Sequence, residues 1–85
     1  MDYNIFLNWL TTEKGMNSRS AHDVISRCRR ILKLTGKNTI EDVTENQLIS
    51  SEAFQSCSMF IKSQLKRTMI LSQEFISVQG ERNGE

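Results

Sequence analysis

The chain of 85 residues contains no proline, four glycines, two cysteines and one histidine. Each shortage excludes something. Without proline, no position is locally barred from helix. Gly15, Gly36, Gly80 and Gly84 lie between or after segments of helical periodicity, where they end helices without interrupting them. Cys28 and Cys57 form no C-x-x-C pair and have no histidine cluster to complete a zinc site, so both are expected to be free thiols. His22 is the sole histidine and falls on an arc expected to face solvent, which leaves no serine or cysteine triad to build. The glycines never take the spacing of a nucleotide cradle. No apolar run approaches the roughly 20 residues that cross a bilayer, and the first residues lack the order of a secretory signal. The sequence therefore leads us to expect a cytoplasmic, non-catalytic protein that uses no metal, small-molecule cofactor or membrane.

What is present is amphipathic helix. With 38% hydrophobic and 25% charged residues, the composition falls on the folded side of the disorder boundary, and the length fits one domain. The first helix is expected from Tyr3 to Lys14, capped by Asp2, with Ile5 and Trp9 widening its apolar face to suggest burial on two sides. The second should run from Ser18 to Leu34 and end at Gly36. Thr39 to Thr44 reads as an extended link anchored by Ile40 and Val43. Thr44 and Gln47 then have capping-box spacing at the start of a short helix. A turn near Phe54 precedes a last helix from Ser58 to Ser77. The expected fold is all-α, a four- or five-helix bundle over residues 1–77, with residues 78–85 as a flexible tail. Its core draws on Phe6, Trp9, Leu10, Val24, Ile25, Cys28, Ile31, Leu48, Phe54, Ile61, Leu65 and Phe75.

Eleven Lys and Arg against ten Asp and Glu give a formal charge of only +1, but the charges are segregated. Arg19, Arg27, Arg29, Arg30 and Lys33 fall between Ser18 and Lys33, opposed only by Asp23. Glu41, Asp42, Glu45 and Glu52 follow with no cation between Asn38 and Phe54, and Lys62, Lys66 and Arg67 turn the chain basic again. At ~100° per residue, Arg19, Arg29, Arg30 and Lys33 oppose the apolar stripe of the second helix. Lys62 with Lys66 and Ser63 with Arg67 are neighbours one turn apart on the last helix. Cations on a helix face beside small hydroxyls are what phosphate contacts require, although a solvated charged face has the same pattern. The expected contacts to duplex DNA are thus Arg19, Arg29, Arg30, Lys33, Lys62, Lys66 and Arg67. Arg27, nearer the edge of the apolar stripe, is not among them.

Three stretches resemble the N-terminal core-binding, SAM-like domain of phage-integrase-type tyrosine recombinases. Phe6-Leu7-Asn8-Trp9-Leu10 with Glu13-Lys14-Gly15-Met16-Asn17 is similar to that family's opening helix and glycine turn. Asn17, Ser20 and Val24 stand where the family has Ser, Thr and an aromatic residue, ahead of the basic helix Ser26-Arg27-Cys28-Arg29-Arg30-Ile31-Leu32. Thr39 to Leu48 resembles its link into a short helix, and Ser58 to Ile76 its closing helix. The resemblance implies a SAM-like fold forming half of a clamp around duplex DNA, in the setting of DNA recombination or integration. It also implies a catalytic domain outside this chain, because the Arg, His and Tyr set that cleaves the strand is missing and Tyr3 is the sole tyrosine. The competing expectation is a stand-alone helical module in which Met59 and Ile70, with the basic faces, bind an acidic or helical protein partner.

Overall fold

A computed structural model describes residues 1–83 and is all-α among them. Five α-helices run in the order α1 Tyr3–Thr12, α2 Ser18–Thr35, α3 Glu45–Ser50, α4 Glu52–Gln55 and α5 Met59–Asn83, with a 3-10 turn at Ile40–Asp42 between α2 and α3. No helix among the described residues is long and apolar enough to cross a membrane.

Local chemistry sets most boundaries. Asp2 accepts from the Asn4 and Ile5 amides to start α1, and Asn17 accepts from the Ser20 amide to start α2. Gly36 ends α2 in the left-handed region at φ 71°, and Gly15 turns the chain between α1 and α2 at φ 65°. These angles favour a residue without Cβ. Thr44 and Gln47 form both bonds of the capping box that opens α3. Helix α1 stops at Thr12, short of the expected Lys14, where Thr11 and Thr12 donate to the Asn8 carbonyl and the Met16 amide returns to Leu10. The link expected to be wholly extended holds one 3-10 turn, while its flanks Thr39, Val43 and Thr44 keep extended backbone.

The core joins the two ends of this order. Phe75 of α5 stacks on Phe6 of α1 at 4.8 Å between ring centroids and leans on Trp9 at 5.4 Å. Such pairs contribute about 1 kcal/mol beyond the area they bury. Ala21, Val24, Ile25, Cys28 and Ile31 of α2 form the adjoining wall, and Ile40, Val43, Leu48 and Phe54 close the far end. Of the expected core only Ile61 stays half-buried, packed against the cluster; Met69, expected on the inner side of the last helix, is buried, and Leu71 joins it. Ile5 is corrected as well. It remains 50% exposed, because α1 is covered on one side only. Thr68 and Ser72 are buried on α5, where Ser72 Oγ donates to the Thr68 backbone carbonyl at 2.8 Å and lies 3.4 Å from Cys28 Sγ on α2.

Helix α5 continues through Asn83 instead of ending at Ser77. Val78 and Gln79 are half-buried and line a groove with Ile5, Trp9 and Phe75, and the helix runs on despite the loss of periodicity after Ser77 and the cost of ~1 kcal/mol for a helical glycine. The expected tail is therefore helical from Val78 to Asn83, while Gly84 and Glu85 lie outside the described residues.

Two substitutions test this packing by urea denaturation. Phe75→Ala should cost about 3–5 kcal/mol, since it opens a cavity between the first and last helices. Gly36→Ala should cost about 1–2 kcal/mol, all from the backbone, because no atom lies within 4 Å of an added Cβ. A loss below ~1 kcal/mol for Phe75→Ala would contradict the aromatic junction.

Candidate nucleic-acid interface

Helix α2 positions most of the cations. Its buried stripe takes Ala21, Val24, Ile25, Cys28 and Ile31 inward, so Arg19, Arg30 and Lys33 stand near the middle of the opposite arc, exposed to solvent. His22 is exposed on the same arc, its Nδ1 2.8 Å from the Ser18 carbonyl oxygen and 3.4 Å from the Ser18 hydroxyl one turn back. None of the cations expected to contact DNA takes part in an ion pair among the described residues. The two ion pairs found there join Lys14 to Glu74 and the Met1 amine to Glu41. Their charge is not spent inside the fold.

The expected residues do not share one face. Arg29 lies at the edge of α2 toward α1, its guanidinium 5.6 Å from the centroid of the Tyr3 ring. This is a cation–π contact, and it holds the group to one side of the exposed arc. Burial pushes the Tyr3 hydroxyl above its ordinary range, with Cys28 adding to this and Arg29 opposing it. On α5, Lys66 and Arg67 are exposed, but Lys62 is half-buried. Lys62 sits roughly 140° around the helix from Arg67 and lies toward Met69 and Ile76, so its stem follows the apolar edge. The placement of Lys62 on the outer face is therefore corrected to the flank.

Arg67 instead lines a groove of about 530 Å³ between α2 and α5, and Arg27 lines the same groove from α2. Gly15, Met16, Asn17, Ser20 and Asp23 complete its α2 side, while Gln64, Thr68 and Leu71 face them from α5. Sequence reasoning left Arg27 out because its wheel position borders the core. That border is where α5 packs, and no local pattern in the sequence marks it. Phe60, 69% exposed on the first turn of α5, was missed altogether. Met59 at 78% and Ile70 at 57% are exposed as expected.

Both cysteines are free, Cys28 buried and Cys57 half-buried. Burial pushes the Cys28 thiol above its ordinary range, an effect that the contact with Ser72 opposes in part. No group of His, Cys, Asp and Glu among the described residues could hold a metal ion. No protein-family model matches the chain, and no curated protein or solved structure matches it.

The tie between Arg29 and Tyr3 predicts that the Nε–Hε order parameter of Arg29 exceeds that of Arg30 in side-chain relaxation measurements. Tyr3→Leu should bring the two together and lower stability by about 0.5–1 kcal/mol. Equal order parameters in the unsubstituted protein would rule out the contact. The raised Cys28 pKa sets a sign for alkaline pH. Its thiol stays neutral in the fold while an unfolded thiol ionises, so stability should fall as pH rises past the ordinary thiol value of 9.0. Cys28→Ser should flatten that fall in urea titrations, and an unchanged slope would contradict it.

Proposed function

We propose that this chain is a non-catalytic module that binds duplex DNA, mainly through phosphates, in the manner of the core-binding domain of tyrosine recombinases that its sequence resembles. One observation carries the reading. Arg19, Arg30 and Lys33 occupy the solvent arc of a single 18-residue helix without ion-pair partners among the described residues. Lys66 and Arg67 add exposed charge from α5, and Arg29 and Lys62 stand at the flanks. Cations so placed release condensed counterions when they meet phosphates, which supplies affinity without sequence information. Little base specificity is expected. Strand cleavage would belong to a catalytic domain outside this chain.

A second reading has its own support in the exposed apolar residues Met59, Phe60 and Ile70 on α5. Their position outside the core suits a protein partner whose binding depends weakly on salt.

Binding of a random-sequence duplex across a salt series separates the two. The unsubstituted chain should bind with log K falling linearly against log salt, by ~0.9 for each phosphate contacted. A variant with Arg19, Arg30, Lys33 and Lys66 changed to alanine should lose most of that slope. Absence of binding by either chain at low salt would reject the DNA reading and turn the search to protein partners.

A further inference from the structure

Arg27 of α2 and Arg67 of α5 line one groove, between Gly15–Arg27 and Gln64–Leu71. Its floor includes the buried residues Val24, Thr68 and Leu71. Its walls carry polar groups that the fold leaves unused. Arg27, Arg67, Ser20 and Gln64 line it, and none of their side chains makes a hydrogen bond or ion pair among the described residues. Asn17 spends its side-chain oxygen on the Ser20 amide at 2.8 Å, which leaves its NH2 free to donate. Asp23 is the one carboxylate present.

Arginines from two helices line one groove beside hydroxyl and amide donors and above an apolar floor, a lining whose chemistry suits a tetrahedral oxyanion. Arginine presents forked donors that match phosphate oxygens, and partial burial strengthens each charge-assisted bond. Arg27 is half-buried, so its desolvation is already complete in part before any ligand arrives. A neutral peptide would leave both charges unmet. The opposing Asp23 carboxylate lowers the net charge of the groove from two positive to one.

We infer that this groove seats one phosphodiester of the DNA backbone, held jointly by Arg27 of α2 and Arg67 of α5, with Asp23 weakening the hold. The inference rests on the DNA-binding reading and adds to it a residue, Arg27, and a fixed contact at which one strand is registered against two helices. The solvent arc of α2 supplies attraction from a distance. The groove supplies the point of docking.

The test compares duplex affinities, across a salt series, of the unsubstituted chain, Arg27→Gln, Arg67→Gln, the double variant and Asp23→Asn. Glutamine keeps an amide donor and most of the side-chain length while removing charge. Because both residues hold the same phosphate, each single variant should lose about tenfold in affinity, and the double variant little more. The double variant should be shallower than the unsubstituted chain by about one in salt slope, the loss of one phosphate contact and not two. Asp23→Asn should bind more tightly by about twofold to fivefold, a gain that a purely structural role for the groove would not produce. If the double variant binds as the unsubstituted chain does while alanines at Arg30 and Lys33 weaken binding, the groove assignment is wrong and the DNA reading survives. Additive losses with a slope reduced by two would show independent contacts and also overturn the shared seat. If the unsubstituted chain shows no salt-dependent duplex binding, both the seat and the reading fall.

Discussion

The fold depends on the one buried stripe of α2, against which both α1 and α5 pack, with Phe6 and Trp9 of α1 stacking on Phe75 of α5 beside it. A chain of this length buries a smaller fraction of its surface than a larger domain does, so a single cluster of large rings takes a disproportionate share of the stabilisation. With both neighbours packed against that one stripe, the opposite arc of α2 is left in water. The arrangement of cations follows from this constraint. The shortest extent of the molecule is 16 Å, about two helix layers, so no third layer covers the outer face of α2.

Much of this was legible in the sequence because it was written in local chemistry. Asp2, Asn17, Gly36 and the Thr44–Gln47 pair mark helix ends by capping and backbone conformation, which need no tertiary information. The apolar stripe of α2 is equally local. Where the reading missed, packing between distant segments decided the outcome. Helix α5 outlasts its own periodicity, and its half-buried Val78 and Gln79 line a groove with Ile5 and Trp9, residues far away in sequence. Ile61 packs against the core but stays half-buried, and Ile5 stays exposed, although the helical pattern alone favours burial of both.

The candidate site follows the same rule. Exposure of Arg19, Arg30, Lys33, Lys66 and Arg67 came from helix geometry alone and needed only the correct stripe. Which cations converge did not, since it depends on how α2 lies against α5. Arg27 and Arg67 are separated by forty positions and share a groove, whereas Arg29, two positions from Arg27, belongs to the α1 side with Tyr3. A wheel drawn for one helix can rank residues by exposure. It cannot say which of its edges will meet another helix. Phe60 escaped notice for the same reason, because its position on α5 borders the core stripe beyond the point where a neighbour covers it.

The division of labour between a diffuse cationic arc and a defined groove makes the function a question of where DNA touches the protein. Backbone amide chemical-shift mapping with a random-sequence duplex at low salt addresses it directly. The account predicts shifts concentrated along α2 at Arg19, Arg27, Arg30 and Lys33 and on α5 around Gln64 to Arg67, all reversed by added salt. Shifts confined to Met59, Phe60 and Ile70, or none at all, would contradict it.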